Sequence, residues 1–174
     1  MSKTRVLYVE DEEVLAMLVR DHLERNGFEV HWVANGNEAE AIFREVKPDL
    51  CILDIMLPGL SGYEIGKVIR TIDKAVPIIF LTARSESKDV VEGFKSGGNE
   101  FHKKPFSLEE LMARINNLLS MAGRTSPGQY KIGDLSFDPV RMVIQTGDQS
   151  VSLSHRENEL LKMLIAMVGR PVER

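Results

Sequence analysis

The chain has 174 residues, 43% of them hydrophobic and 28% charged, and carries a formal net charge of −4. That composition is ordinary for a soluble globular protein, and the length suits one large domain or one domain plus part of a second. No apolar run approaches the roughly 20 residues that span a bilayer, and the single cysteine, Cys51, excludes an intrachain disulfide.

Met1-Ser2-Lys3-Thr4 passes straight into a strand pattern, so no signal peptide is expected and a cytoplasmic location is. Short apolar strands are predicted at 5–9, 29–33, 50–54, 77–81 and 100–103. Amphipathic helices are predicted between and after them, at 13–25, 36–46, 62–72, 87–96 and 107–120. Ser107 with Glu110 reads as a capping box for the last of these. This alternation predicts an α/β fold, a parallel sheet with helices on both faces. Residues 122–128, with Gly123, Ser126, Pro127 and Gly128, read as a linker.

After the linker the period changes. Strands are predicted at Leu135–Asp138, Met142–Gln145 and Val151–Leu153, around Asp138-Pro139 and Gly147-Asp148 turns. Ser154 and Glu157 form a second capping box, and a helix follows with Leu160, Leu161, Leu164, Ile165 and Val168 on one stripe. Residues 129–174 carry six basic and six acidic side chains, whereas the first 128 carry 16 basic and 20 acidic. The second part therefore lacks the basic footprint of phosphate-backbone binding.

One aspartate stands out. Asp54 ends the apolar run Leu50-Cys51-Ile52-Leu53, where an unpaired carboxylate is expensive to desolvate. The C-terminal ends of parallel strands are where such sheets place their ligand crevice. Glu10-Asp11, Thr82 and Lys104 are expected at the same kind of position, so three acids, a hydroxyl and an ammonium share one rim. Like charges this close raise one another's pKa unless a cation binds, and oxygen ligands suit Mg²⁺. A carboxylate can form an acyl phosphate, and Thr82 and Lys104 can hold phosphoryl oxygens.

Each residue also has a plainer reading. Asp54 alone would be a satisfied turn residue, and Glu10-Asp11 an N-cap of the first helix. His22, His31, His102 and His155 lack metal-ligand spacing and are assigned to surface or core. Trp32 is expected to pack at a strand end, the methionines to fill core, and Cys51 to be a buried, inert thiol.

Val9-Glu10-Asp11-Glu12, Leu53-Asp54-Ile55-Met56-Leu57-Pro58-Gly59-Leu60-Ser61-Gly62, Leu81-Thr82-Ala83-Arg84 and Lys104-Pro105-Phe106 together resemble the receiver domains of two-component response regulators. The resemblance covers residues 3–121. It implies a flavodoxin-like, doubly wound five-stranded sheet of order 2-1-3-4-5, a receiver domain over 1–121, and phosphorylation of Asp54 by a sensor histidine kinase. It further implies Mg²⁺ held by Glu10, Asp11, Asp54 and the Met56 carbonyl, and a cis peptide before Pro105. Thr82 and Phe101 match the family's switch pair, and Met56 and Arg84 match positions that tune phosphate lifetime. Such a protein is not an enzyme beyond its own phosphoryl transfer and slow autodephosphorylation.

Residues 129–174 resemble the start of the winged-helix effector of the OmpR/PhoB subfamily, through the small antiparallel sheet and Leu153-Ser154-His155-Arg156-Glu157-Asn158-Glu159-Leu160-Leu161. The resemblance implies transcription regulation. The sequence stops before the family's recognition helix, so promoter DNA is expected as a partner only with that part present. Self-association through the C-terminal segment, or disorder of that segment, is expected in preference to the subfamily's charge-paired dimer. On that dimer face Glu110 and Arg114 are kept, but Asn99-Glu100 stands where paired aspartates occur and Val90 where a basic residue does. Glu100 with Arg114 remains as an available pair.

Two other readings compete. A phosphatase with an aspartate nucleophile would carry an acid two residues beyond it, where this chain has Met56. A phospho-switched protein-interaction adaptor without DNA binding is the alternative function.

Overall fold

The structure, a computed structural model, describes residues 3–83, 95–124, 129–139, 142–147 and 149–167. The chain divides into two compact units, Met1–Pro127 and Gly128–Arg174.

The first unit alternates strand and helix: β1 Arg5–Val9, α1 Glu13–Arg25, β2 Glu29–Val33, α2 Ala39–Val46, β3 Leu50–Asp54, α3 Gly62–Ile72, β4 Ile78–Thr82, β5 Glu100–Lys103 and α4 Leu108–Met121. All strand pairs are parallel and the order is β2-β1-β3-β4-β5, as expected. Side chains alternate across the sheet with a period of two, and both sets are apolar because helices cover both faces. Val6, Tyr8, Leu50, Ile52, Ile79 and Leu81 pack with α1 and α4. Leu7, Val9, Cys51, Leu53, Ile78 and Phe80 pack with α2 and α3. Cys51 is fully buried, and burial pushes its thiol well above the ordinary range, in keeping with an inert side chain.

Local chemistry moves some boundaries. The helix predicted at 36–46 opens as a 3-10 turn, Gly36–Glu38, because Asn35 bonds its side chain to the Asn37 N–H at 2.9 Å and competes with the helical ladder. Strand β4 starts one residue later than predicted and includes Thr82, since Pro77 has no N–H for the ladder. The predicted Ser107–Glu110 capping box is only half made. Ser107 accepts from the Glu110 N–H at 3.1 Å, but the Glu110 carboxylate turns to Arg114. A complete box, unforeseen in the sequence, joins Ser61 and Glu64 at the start of α3. The helix predicted at 87–96 lies mostly outside the described residues.

The second unit is an antiparallel sheet, β6 Tyr130–Ile132, β7 Leu135–Asp138, β8 Val143–Thr146 and β9 Gln149–Ser152, paired in sequence order, followed by α5 His155–Met167. An antiparallel sheet with one helix is consistent with a small effector domain. Strand β6 was not anticipated; the signal was Gly133-Asp134, a two-residue hairpin turn with Gly133 at φ +62°. The Ser154–Glu157 box is formed, with the Ser154 N–H donating to the Glu157 carboxylate at 2.7 Å.

Candidate functional site

Four strands deliver the site. Glu10 follows β1, Asp54 closes β3 and Thr82 closes β4, while Lys104 follows β5. The alternation that buries Tyr8 and Ile52 on one face continues two residues on to Glu10 and Asp54, so those carboxylates emerge side by side. Glu10 is fully buried, Asp54 is 5% exposed, and Asp11 lies open to solvent. Carboxylate oxygens of Glu10, Asp11 and Asp54 come within 4.8 Å of one another.

Lys104 joins the cluster from 94 residues away. Its Nζ donates to Glu10 Oε2 at 2.7 Å and also to Asp54 Oδ2. Burial alone would lower the ammonium pKa, but the hydrogen bonds to Asp54 and Glu10 outweigh it and hold it above the usual value. The Glu10 carboxyl moves the other way, up to about 7, chiefly through burial and also through the Asp54 charge, with Lys104 opposing. The other Asp54 oxygen accepts the Met56 N–H at 2.8 Å. Asp54 is thus a buried carboxylate with both oxygens fixed, as a positioned nucleophile requires.

The turn after Asp54 depends on glycine. A Cβ on Gly62 would lie 2.2 Å from the Asp54 carbonyl oxygen, and Gly59 sits at φ +78°. The first-helix capping reading of Asp11 fails, because the N-cap is Glu12 and it makes no side-chain cap bond. Glu10 Oε1 instead accepts the Glu12 N–H at 3.2 Å.

Thr82 is 7% exposed, and its carbonyl accepts the Lys104 N–H at 2.7 Å. Phe101, half-buried, stacks on Phe80 with ring centroids 5.4 Å apart. The Lys104–Pro105 peptide is cis. The Met56 side chain is 56% exposed beside the cluster. Arg84 and Val90 lie outside the described residues.

The expected dimer-face residues meet within one chain. Arg114 donates to Glu110 at 2.9 Å and also to Glu100. These bonds raise the Arg114 pKa, and the bond from Arg114 lowers that of Glu110. Asn99 is committed elsewhere, its Oδ1 accepting from Ile78 N at 2.8 Å and from Arg70 at 3.0 Å.

Two residues near the site escaped sequence reasoning. Trp32 does more than pack, because its Nε1 donates to the Glu10 carbonyl at 2.8 Å. Tyr8, apparently plain core, aims its hydroxyl at Glu10 Oε2 from 3.5 Å. The available signal was register: each is a polar-tipped aromatic on a strand that ends at the cluster.

Residues 6–116 match the response regulator receiver domain family. Over almost its whole length the chain is similar to curated transcriptional regulators. It is 36% identical to the regulatory protein RprY of Bacteroides fragilis, covering 99% of this chain and 74% of that one. It is 39% identical to the phosphate regulon protein PhoB of Rhizobium meliloti, covering 98% and 76%. Among solved structures, the HemR receiver domain of Leptospira biflexa is 36% identical with a TM-score of 0.64, over 68% of this chain and 95% of that one. The chemotaxis protein CheY4 of Vibrio cholerae is 30% identical with a TM-score of 0.65, over 68% and 100%.

Proposed function

The chain belongs to the response regulator receiver family, with OmpR/PhoB-type regulators as its relatives, and from that premise we propose that Asp54 is the phosphoacceptor of a two-component switch controlling transcription. The observation that carries the reading is the cluster at the rim: Glu10, Asp11 and Asp54 within 4.8 Å, with Lys104 bonded to two of them.

In this reading a carboxylate oxygen of Asp54 attacks the phosphorus of a phosphohistidine on a partner sensor kinase. The P–N bond breaks, its electron pair returns to the imidazole, and an aspartyl phosphate forms. The Met56 N–H fixes one Asp54 oxygen, and Lys104 is within reach of charge arriving at the other. The Thr82 hydroxyl and Phe101 relay the new charge as the switch pair.

The donor set fits Mg²⁺: three carboxylates brought within 4.8 Å of one another, one of them fully buried, gain from a hard divalent cation. Glu10, Asp11, Asp54 and the Met56 carbonyl would hold it, and when bound it supplies neutralisation of carboxylate and phosphoryl charge. Asp54 takes one phosphoryl group and releases it slowly, so external turnover is not part of the function. Promoter DNA is the proposed target of the regulator through its effector part, and the cytoplasm its proposed location. No helix among the described residues is long and apolar enough to cross a membrane.

Acetyl phosphate with Mg²⁺ is expected to add one phosphoryl group to the chain by mass spectrometry, and Asp54→Asn to abolish the adduct. An undiminished adduct in the variant would remove Asp54 from the role.

A further inference from the structure

Glu10 is held on every side, and three of its partners, Val33, Trp32 and Tyr8, lie outside the receiver motifs. Its N–H donates to the Val33 carbonyl at 3.0 Å, and its own carbonyl accepts Trp32 Nε1 at 2.8 Å. Its carboxylate takes Lys104 at 2.7 Å, the Glu12 N–H at 3.2 Å and the Tyr8 hydroxyl at 3.5 Å. Asp11, next in sequence, is exposed.

The two aromatics are placed by strand register. Tyr8 pairs with Trp32 on one side and with Ile52 on the other. Glu10 lies two residues beyond Tyr8, and Asp54 two beyond Ile52, on the same face. Tyr8 is fully buried, and Trp32, half-buried, packs against the same apolar cluster. A buried indole N–H or phenol needs a partner in any case. Here both choose the same residue, one its backbone and the other its side chain.

We propose that Trp32 and Tyr8 are positioning residues that fix Glu10 for Mg²⁺, Trp32 through the Glu10 carbonyl and Tyr8 through its carboxylate. The inference rests on the metal reading of the cluster given above. Neither residue is a ligand. Tyr8 removes freedom from the carboxylate itself, and Trp32 from the backbone that carries it, which would otherwise have to be ordered when the cation arrives. Loss of an outer group of this kind typically weakens metal binding by about 10–100-fold. The 2.8 Å indole bond is well formed and the 3.5 Å phenol bond is long, so Trp32 carries the larger share.

The test deletes one donor at a time while keeping shape, in the full chain. Tyr8→Phe removes only the hydroxyl, and 3-benzothienylalanine in place of Trp32 removes only the indole N–H. Mg²⁺ is titrated by calorimetry. Dissociation constants are expected to rise about 10-fold for the Trp32 replacement and about 3-fold for Tyr8→Phe. Acetyl phosphate uptake should fall at limiting Mg²⁺ and recover at saturating Mg²⁺, with the thermal midpoint of the chain preserved. A purely packing role would instead lower the midpoint and leave the affinity alone. Wild-type binding with unchanged affinity in both replacements overturns the positioning role alone. Absence of Mg²⁺ binding in the wild type overturns the metal reading and this inference together.

Discussion

In Met1–Pro127 the central strands are covered on both faces, and residues such as Leu7, Ile52, Phe80 and Ile115 reach 0% exposure. In Gly128–Arg174 the only described apolar residue to be buried is Phe137, while Ile132, Leu135, Val151, Leu160, Met163 and Leu164 are each at least 41% exposed. The contrast follows from connectivity. A parallel sheet needs a long crossover between successive strands, and the crossover helices close the core as a by-product. An antiparallel meander joined by tight turns carries no such obligation, so its faces stay open unless another layer covers them.

The sharpest way to break that comparison is truncation of one core ring in each unit. Phe80 is fully buried between Tyr63 and Phe101, with ring centroids at 5.3 and 5.4 Å. Phe80→Ala is expected to cost about 3–5 kcal/mol, the usual range for a buried phenylalanine. Phe137, 1% exposed and stacked on Tyr130, is expected to affect only the second unit when changed to alanine. Urea unfolding followed by amide exchange tests this. A single transition shifted equally by both variants would mean that the units do not unfold separately.

A smaller effect tests how complete the first core is. His102 is 3% exposed, its Nε2 has no partner among the described residues, and it leans on Phe106 with ring centroids 4.8 Å apart. Glu110 is 3.7 Å from its Nδ1, and Arg114 and Glu100 lie beyond. Burial, and then the Arg114 charge, depress the imidazole below its ordinary 6.5. On acidification the unfolded chain therefore protonates first. The contribution of neutral His102 is complete above pH 6.5 and is lost as the pH falls through the lower, folded value. His102→Leu should flatten this acid slope and add about 1 kcal/mol of stability by removing the orphan nitrogen. Urea midpoints at about pH 8 and about pH 5 measure both effects, and an unchanged slope would count against His102 as its source.

The smallest expected difference lies in the two complete capping boxes. Ser61→Ala and Ser154→Ala should each cost about 1 kcal/mol locally. Helix α3 is anchored by buried Ile65 and Ile69, so the loss of Ser61 should lower stability without loss of helix. Helix α5 exposes Leu160, Met163 and Leu164, so the loss of Ser154 should appear as fraying of its first turn. Amide exchange at residues 155–158 would separate the two outcomes.

Much of the molecule was legible along the chain. Short continuous apolar strands alternating with period-3.6 helices dictated the parallel sheet and its covered faces, because a strand buried on both faces is apolar throughout while a covering helix is apolar on one stripe. Asp54 was conspicuous for a similarly local reason, a charge ending an apolar run. Glu10, Thr82 and Lys104 gained meaning from their positions relative to it. Residues that act across the sheet were less visible. Sequence spacing cannot say that Lys104 bonds Glu10 as well as Asp54, that Arg114 satisfies two acids of its own chain, or that Trp32 clasps the Glu10 carbonyl. A hydrogen bond acts over about 3 Å whatever the separation in sequence, so its partner is chosen by the packed fold. The sequence alone thus determined which side chains reach the rim, and the tertiary structure decided which of them hold one another there.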